Sequence, residues 1–138
     1  MRAPEALILA ANRSRRETAM TLNIDIAPTM LALAGVTPPA RMQGRSLVPL
    51  IHNQHPADWR KEFFYEHHTF PDIIPASEGV RTKRYAYIRW LNENLLFEEL
   101  FDLRSDELEG HNLATEPRYA EMLAQFEAKW RACGEQLK

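Results

Sequence analysis

Tyr85-Ala86-Tyr87-Ile88-Arg89-Trp90-Leu91-Asn92-Glu93-Asn94-Leu95-Leu96-Phe97-Glu98-Glu99-Leu100-Phe101-Asp102-Leu103 decides the fold class. Aromatic and branched side chains favour extended chain, and successive residues of a strand point to opposite faces. Tyr85, Tyr87 and Arg89 therefore share one face, and Ala86, Ile88 and Trp90 share the other. One face can pack while the other stays partly wet. Asn92-Glu93-Asn94 supplies turn chemistry between two such runs, so an antiparallel hairpin is expected.

Upstream, Phe63-Phe64-Tyr65-Glu66-His67-His68 and Val80-Arg81-Thr82 have the same strand character, with Lys83-Arg84 marking a tight turn into the hairpin. Downstream, Met122, Phe126, Trp130 and Cys133 recur at helical spacing within residues 117–137, with Leu123 beside them. Pro117 suits the first turn of that helix and Thr115 is its candidate cap. The expectation is an α+β unit: a small antiparallel sheet of about four strands with a long C-terminal helix packed on it. Trp130, on the apolar stripe, is expected in the core, and Trp59 as a lid or packing residue.

The first part of the chain reads differently. Residues 6–10 form an unbroken apolar run, as in a strand covered on both faces, and residues 12–17 form a basic connection. Asp25 can cap a helix that accepts Pro28 in its first turn and stops at Gly35, with Ile26, Met30 and Leu33 on one face. Residues 46–51 fit a turn of helix or extended chain, and the polar stretch beginning at His52 places a boundary near His55. Two segments follow, residues 1–54 and 55–138.

Composition bounds the function. In 138 residues, 45% hydrophobic and 26% charged side chains describe a folding globular chain. A net charge of −2 excludes the basic footprint of nonspecific nucleic-acid binding. The longest apolar runs, residues 6–11 and 30–36, fall far short of the roughly 20 residues of a membrane span. Neither nucleic acid nor membrane is an expected partner. Cys133 is the only cysteine, so the chain forms no internal disulfide.

Asn23-Ile24-Asp25-Ile26-Ala27-Pro28-Thr29, followed by apolar residues and Gly35, resembles the helix near the end of the large domain of type I sulfatases. Met42-Gln43-Gly44-Arg45-Ser46-Leu47 is similar to that family's Gln-Gly-x-Ser-Leu stretch, in the right order. Tyr65-Glu66, Val80-Arg81-Thr82, Tyr85-x-Tyr87-Ile88, Glu99-Leu100-Phe101-Asp102-Leu103 and Glu109-x-x-Asn112-Leu113-Ala114 resemble the C-terminal subdomain of arylsulfatases and N-sulfoglucosamine sulfohydrolases. Ala86, where lysine is common, and Asp106-Glu107, where Asp-Pro is frequent, depart from the pattern at positions expected to be turn or surface.

The resemblance implies that residues 1–54 are the end of an alkaline-phosphatase-like α/β domain, a remnant strand and helix, and that residues 55–138 are the closing subdomain. It implies a parent activity, hydrolysis of sulfate esters, by a formylglycine nucleophile beside a divalent cation, typically calcium. Cys133 is followed by Gly134-Glu135-Gln136-Leu137 and lacks the modification motif, and the paired-aspartate cation motif is missing as well. No catalytic residue and no metal or cofactor site is therefore expected in this chain, which alone is expected to be inactive. Its expected partners are the N-terminal sulfatase domain, a second copy through its uncovered apolar face, and a sulfated glycan. The alternatives are a stand-alone glycan- or protein-binding module, or a subunit completing a separately encoded catalytic half.

His67, His68 and Arg81 are the candidate substrate contacts, because the closing subdomain borders the pocket mouth in the resembled family. Adjacent strand residues face opposite ways, so one histidine of the pair is expected to face a cleft. An arginine can hold an anionic sugar with two nitrogens. Against this stands a structural role for Arg81, as a bridge to Glu66 or Asp102. His52, His55 and His111 add no recognisable metal spacing to the histidine pair. Asp102, Ser105, Asp106, Glu107 and Glu109 lack the glycine-centred calcium-loop spacing and read as a solvated turn.

Overall fold

The computed structural model of the chain describes residues 16–68, 74–92 and 95–136. The expected strand at residues 6–10 and the turn residues Glu93 and Asn94 lie outside them. Packing divides the chain into two compact units, the first ending at Arg60 and the second starting at Lys61.

In the first unit, a 3-10 turn (Asn23–Asp25) leads into helix α1 (Ile26–Leu33). Gly35 ends it with φ at 74°, the left-handed conformation that costs other residues energy. Asp25 does not cap α1 as expected. Its carboxylate instead accepts from the amide of Leu22 behind it, at 2.8 Å, because the 3-10 turn carries the side chain inward. Burial on α1 is also inverted: Pro28 and Thr29 are inside, whereas Ile26 and Met30 are 60% and 62% exposed. The segment left open between helix and extended chain is a single helical turn, α2 (Val48–Ile51), with Pro49 in its first turn.

The second unit is a meander of four antiparallel strands in the order of the sequence: β1 (Glu62–His67), β2 (Ala76–Thr82), β3 (Tyr85–Asn92) and β4 (Leu95–Asp102). A 3-10 turn (Pro117–Tyr119) opens helix α3 (Ala120–Gln136), which lies on one face of the sheet. Register places Phe64, Val80, Tyr87 and Leu100 in one cross-strand row. Val80, Tyr87 and Leu100 join Leu113 and Phe126 as the buried core, with the Phe126 ring 5.8 Å from that of Tyr85. Full burial of each such side chain contributes roughly 1.5–3 kcal/mol.

Several details depart from expectation. β2 starts four residues before the recognised Val80, paired on both sides by β1 and β3, and Gly79 lets its neighbours come close: a Cβ there would lie 2.6 Å from the Tyr65 ring and 2.3 Å from the Tyr87 carbonyl. Thr115 does not cap α3. The position before the 3-10 turn is Glu116, whose carboxylate instead pairs with Arg118 and His111, each at 2.7 Å. Trp130 is half-buried rather than core, its indole N–H donating to Glu78 at 2.7 Å with the Arg89 guanidinium 4.3 Å above its ring. The outer edge of β4 is closed by Asn112, which accepts from the Leu100 amide and donates to the Glu98 carbonyl, both at 3.0 Å.

Candidate functional site

The sheet face away from α3 follows from the register. His67, Ser77, Trp90 and Phe97 form one row across it, then Tyr65, Gly79, Ile88 and Glu99, then Phe63, Arg81, Ala86 and Phe101. His67 and Arg81 thus lie on the same face, and His68 follows at the strand's end. Both histidines are exposed. The structure does not bring the histidines and Arg81 together, however. Arg81 stands opposite Phe63, four residues along β1 from His67, about 13 Å at 3.3 Å per residue.

Arg81 is also partly committed. One guanidinium nitrogen donates to Glu109 at 2.7 Å, tying β2 to the loop after β4. A structural bridge was expected, but with Glu66 or Asp102. Glu66 is excluded by strand parity, since it points to the α3 face. Asp102 is taken by Arg84, 2.8 Å away, which holds the carboxyl below the usual aspartate range. Glu109 sits at a φ of 55°, unusual for a side chain other than glycine or asparagine.

Around this pair the face is polar and aromatic. Burial pushes the Tyr65 phenol up to about 12, with the Glu109 carboxylate adding to the effect and the Arg81 cation opposing it. Trp90 donates its indole N–H to Glu99 at 2.7 Å. Tyr65, Glu99 and Glu109 are read from the sequence as motif residues, and Glu109 as part of a solvated turn, but not as neighbours of Arg81. The one available signal was Gly79, a strand glycine that implies a close neighbour across the ladder.

The acidic turn is used structurally. Asp106 accepts from the amides of Gly110 and His111, at 3.1 and 2.9 Å, and these bonds lower its pKa. Among the described residues no three His, Cys, Asp or Glu side chains converge as a metal site. Cys133 is half-buried late in α3, and burial pushes its thiol up, away from the reactive thiolate.

The first unit is organised by its two sequence motifs, which meet. Asp25, fully buried, accepts from the Arg45 amide at 2.8 Å and from both terminal nitrogens of Arg60. Although burial opposes it, these donors hold the Asp25 carboxyl below its ordinary value. Thr29 accepts from the Leu47 amide at 2.8 Å and donates to the Asp25 carbonyl at 2.6 Å. Gly44 is required at the crossing, since a Cβ there would sit 2.0 Å from the Ile24 carbonyl oxygen. Arg60 was not singled out from the sequence, because its partner lies 35 residues away.

The chain thus combines an Asp-x-x-Pro-Thr helix locked onto a Gln-Gly-x-Ser-Leu strap in its first unit with, in its second, a four-strand meander crossed by a terminal helix. The chain belongs to the family described as "N-sulphoglucosamine sulphohydrolase, C-terminal", whose profile matches residues 1–136. It is 33% identical over 124 residues to an N-acetylglucosamine-6-O-sulfatase of Bacteroides thetaiotaomicron, covering 87% of this chain and 21% of that protein. A Delta 4,5-hexuronate-2-O-sulfatase of the same organism is 36% identical over 113 residues, covering 76% of this chain and 22% of the relative. Among solved structures, a protein in complex with its substrate D-glucosamine-2-N,6-O-disulfate superposes with a TM-score of 0.79 at 31% identity, over 87% of this chain and 25% of the other. The phosphonate monoester hydrolase of Agrobacterium radiobacter gives 0.74 at 26% identity, over 88% and 26%. The chain thus spans about a fifth to a quarter of the length of these proteins.

Proposed function

We propose that this chain forms the closing part of a hydrolase acting on sulfate esters of glycans, and that its exposed His67–His68 end of β1 borders the sugar. The observation that carries the reading is the likeness over 87% of the chain to a protein solved with a disulfated glucosamine. Residues 1–54 then complete a large α/β domain, and residues 55–138 are the closing subdomain. The outward Ile26 and Met30 of α1 support a missing catalytic domain as the partner, since an uncovered aliphatic stripe seeks apolar cover. Alone, the chain is inactive.

The test uses purified chain, an aryl sulfate and calcium, with and without a co-expressed catalytic half from a sulfatase relative. Turnover by the isolated chain refutes the reading, and turnover only on complementation supports it. In the complemented enzyme, His67→Ala raises KM for a sulfated disaccharide while leaving aryl sulfate turnover intact. A second reading, hydrolysis of phosphonate monoesters by the whole protein, is favoured by the 0.74 superposition on a phosphonate monoester hydrolase. A phenylphosphonate ester run in parallel separates the two.

A further inference from the structure

The two edges of the sheet are treated differently. Along β4, the side chain of Asn112 and the amide of Leu113, which donates to the Leu100 carbonyl at 2.8 Å, stand in for a fifth strand. Along β1, no described residue makes a hydrogen bond to the outward backbone. An extended row of outward amides and carbonyls is a template for another strand.

Beside that edge lies a groove of about 330 Å³. Phe64 and Glu66, alternate residues of β1, form one wall with Glu78 of β2. Trp130, Arg131 and Glu135 of α3 form the other. Gly134 widens it, since nothing lies within 4 Å of where its Cβ would be. At the opposite end of β1, Lys129 of α3 pairs with Glu62 and closes the gap. The groove therefore opens toward the end of β1 that carries Glu66.

Its charge is one-sided. Among the groove side chains, Glu66, Glu78 and Glu135 face a single cation, Arg131, whose described ion-pair partner is Glu127 at 3.7 Å. Glu78 is held by the Trp130 indole, and neither Glu66 nor Glu135 forms an ion pair among the described residues. A side chain reaching this space from a strand added to β1 meets excess carboxylate beside the Trp130 ring, over which Arg89 already lies at 4.3 Å, and the carboxylates favour lysine or arginine.

We propose that β1 and the end of α3 form a docking groove for an extended basic segment of a separate polypeptide. It pairs with β1 as a fifth strand and places alternate lysine or arginine side chains against Glu66, Glu78 and Glu135. Backbone pairing supplies the attachment and the groove supplies the preference for cations. This does not depend on the sulfate-ester reading, because it uses the backbone edge of β1 and the sheet face opposite to the one that carries the His67 and Arg81 side chains.

The test titrates the isotope-labelled chain with a capped hexapeptide, Thr-Lys-Thr-Lys-Thr-Val, and with its Glu-for-Lys counterpart. The lysine peptide is expected to give saturable shifts at residues 62–67 and 130–135 and to slow exchange of β1 amides; the glutamate peptide is expected to give none. Glu66→Lys with Glu135→Lys, at exposed positions outside the core, is expected to weaken the lysine peptide by about tenfold and to admit the glutamate peptide. Circular dichroism confirms that the variant is folded. Equal binding of both peptides, unchanged binding to the variant, shifts confined to β4, or dimerisation of the chain through β1 without peptide each overturns the proposal.

Discussion

Asn112 is the residue whose removal tests most sharply how the sheet is finished. Its side chain accepts from the amides of Leu100 and Ala114, at 3.0 and 2.9 Å, and donates to the Glu98 carbonyl at 3.0 Å. Asn112→Ala strands three backbone groups at once. At about 1 kcal/mol for each unmade bond, the second unit loses about 3 kcal/mol, a large share of a typical domain's stability. For a unit of this size that lowers Tm by at least about 12 °C. It also speeds globally limited exchange of the Leu100 amide on the order of 100-fold.

Asn112→Asp is the control. The carboxylate keeps both acceptor bonds and loses only the donation to Glu98, so its cost is about 1–2 kcal/mol. Urea unfolding followed at the β4 amides, with hydrogen exchange, measures both variants. A loss under about 0.5 kcal/mol for alanine, or equal losses for the two, refutes the view that this side chain acts as a surrogate strand.

Other expectations follow from the same packing. Gly79→Ala costs about 3 kcal/mol in thermal or urea unfolding, and Tyr65→Ala does not rescue it, because the Tyr87 carbonyl 2.3 Å from the new Cβ cannot swing away. Phe126→Ala, emptying the contact between α3 and the sheet, costs about 4 kcal/mol by the same measurement. Asp25 and Asp102 both have folded pKa values below the ordinary 3.8, so each contributes stability that is present above that value and lost as pH falls through the folded one. Acid titration of Asp25→Asn and Asp102→Asn, read at amides of their own units, therefore shows lower stability at neutral pH and a shallower decline below pH 3.8 than the parent chain.

Strand existence was legible because aromatic, alternating runs such as residues 85–90 have no other economical reading. The first half of β2 was hidden: Ala76-Ser77-Glu78-Gly79 is polar and small, and it is a strand because its neighbours pair with it on both sides. The polar anchors were the least visible. Arg60 finds Asp25 across 35 residues, and Glu109 finds Arg81 across 28, distances at which periodicity carries no information. Strand parity, which is written in the sequence, does exclude Glu66 as the partner of Arg81 once the register is known. For the candidate site, the face shared by His67 and Arg81 could be deduced only after β1 and β2 were paired.

The lock between Asp25 and Arg45 joins residues 20 positions apart, and Thr29 to Leu47 repeats it one turn along the helix. Such a ring behaves as a noncovalent staple. A protease cut within residues 36–43 opens the chain without opening the ring's closure, so both pieces stay joined until the staple itself is undone by acid or denaturant. The same economy frees the stretch inside the ring to vary in length, since added residues there raise the closure entropy only slowly while the two ends remain pinned.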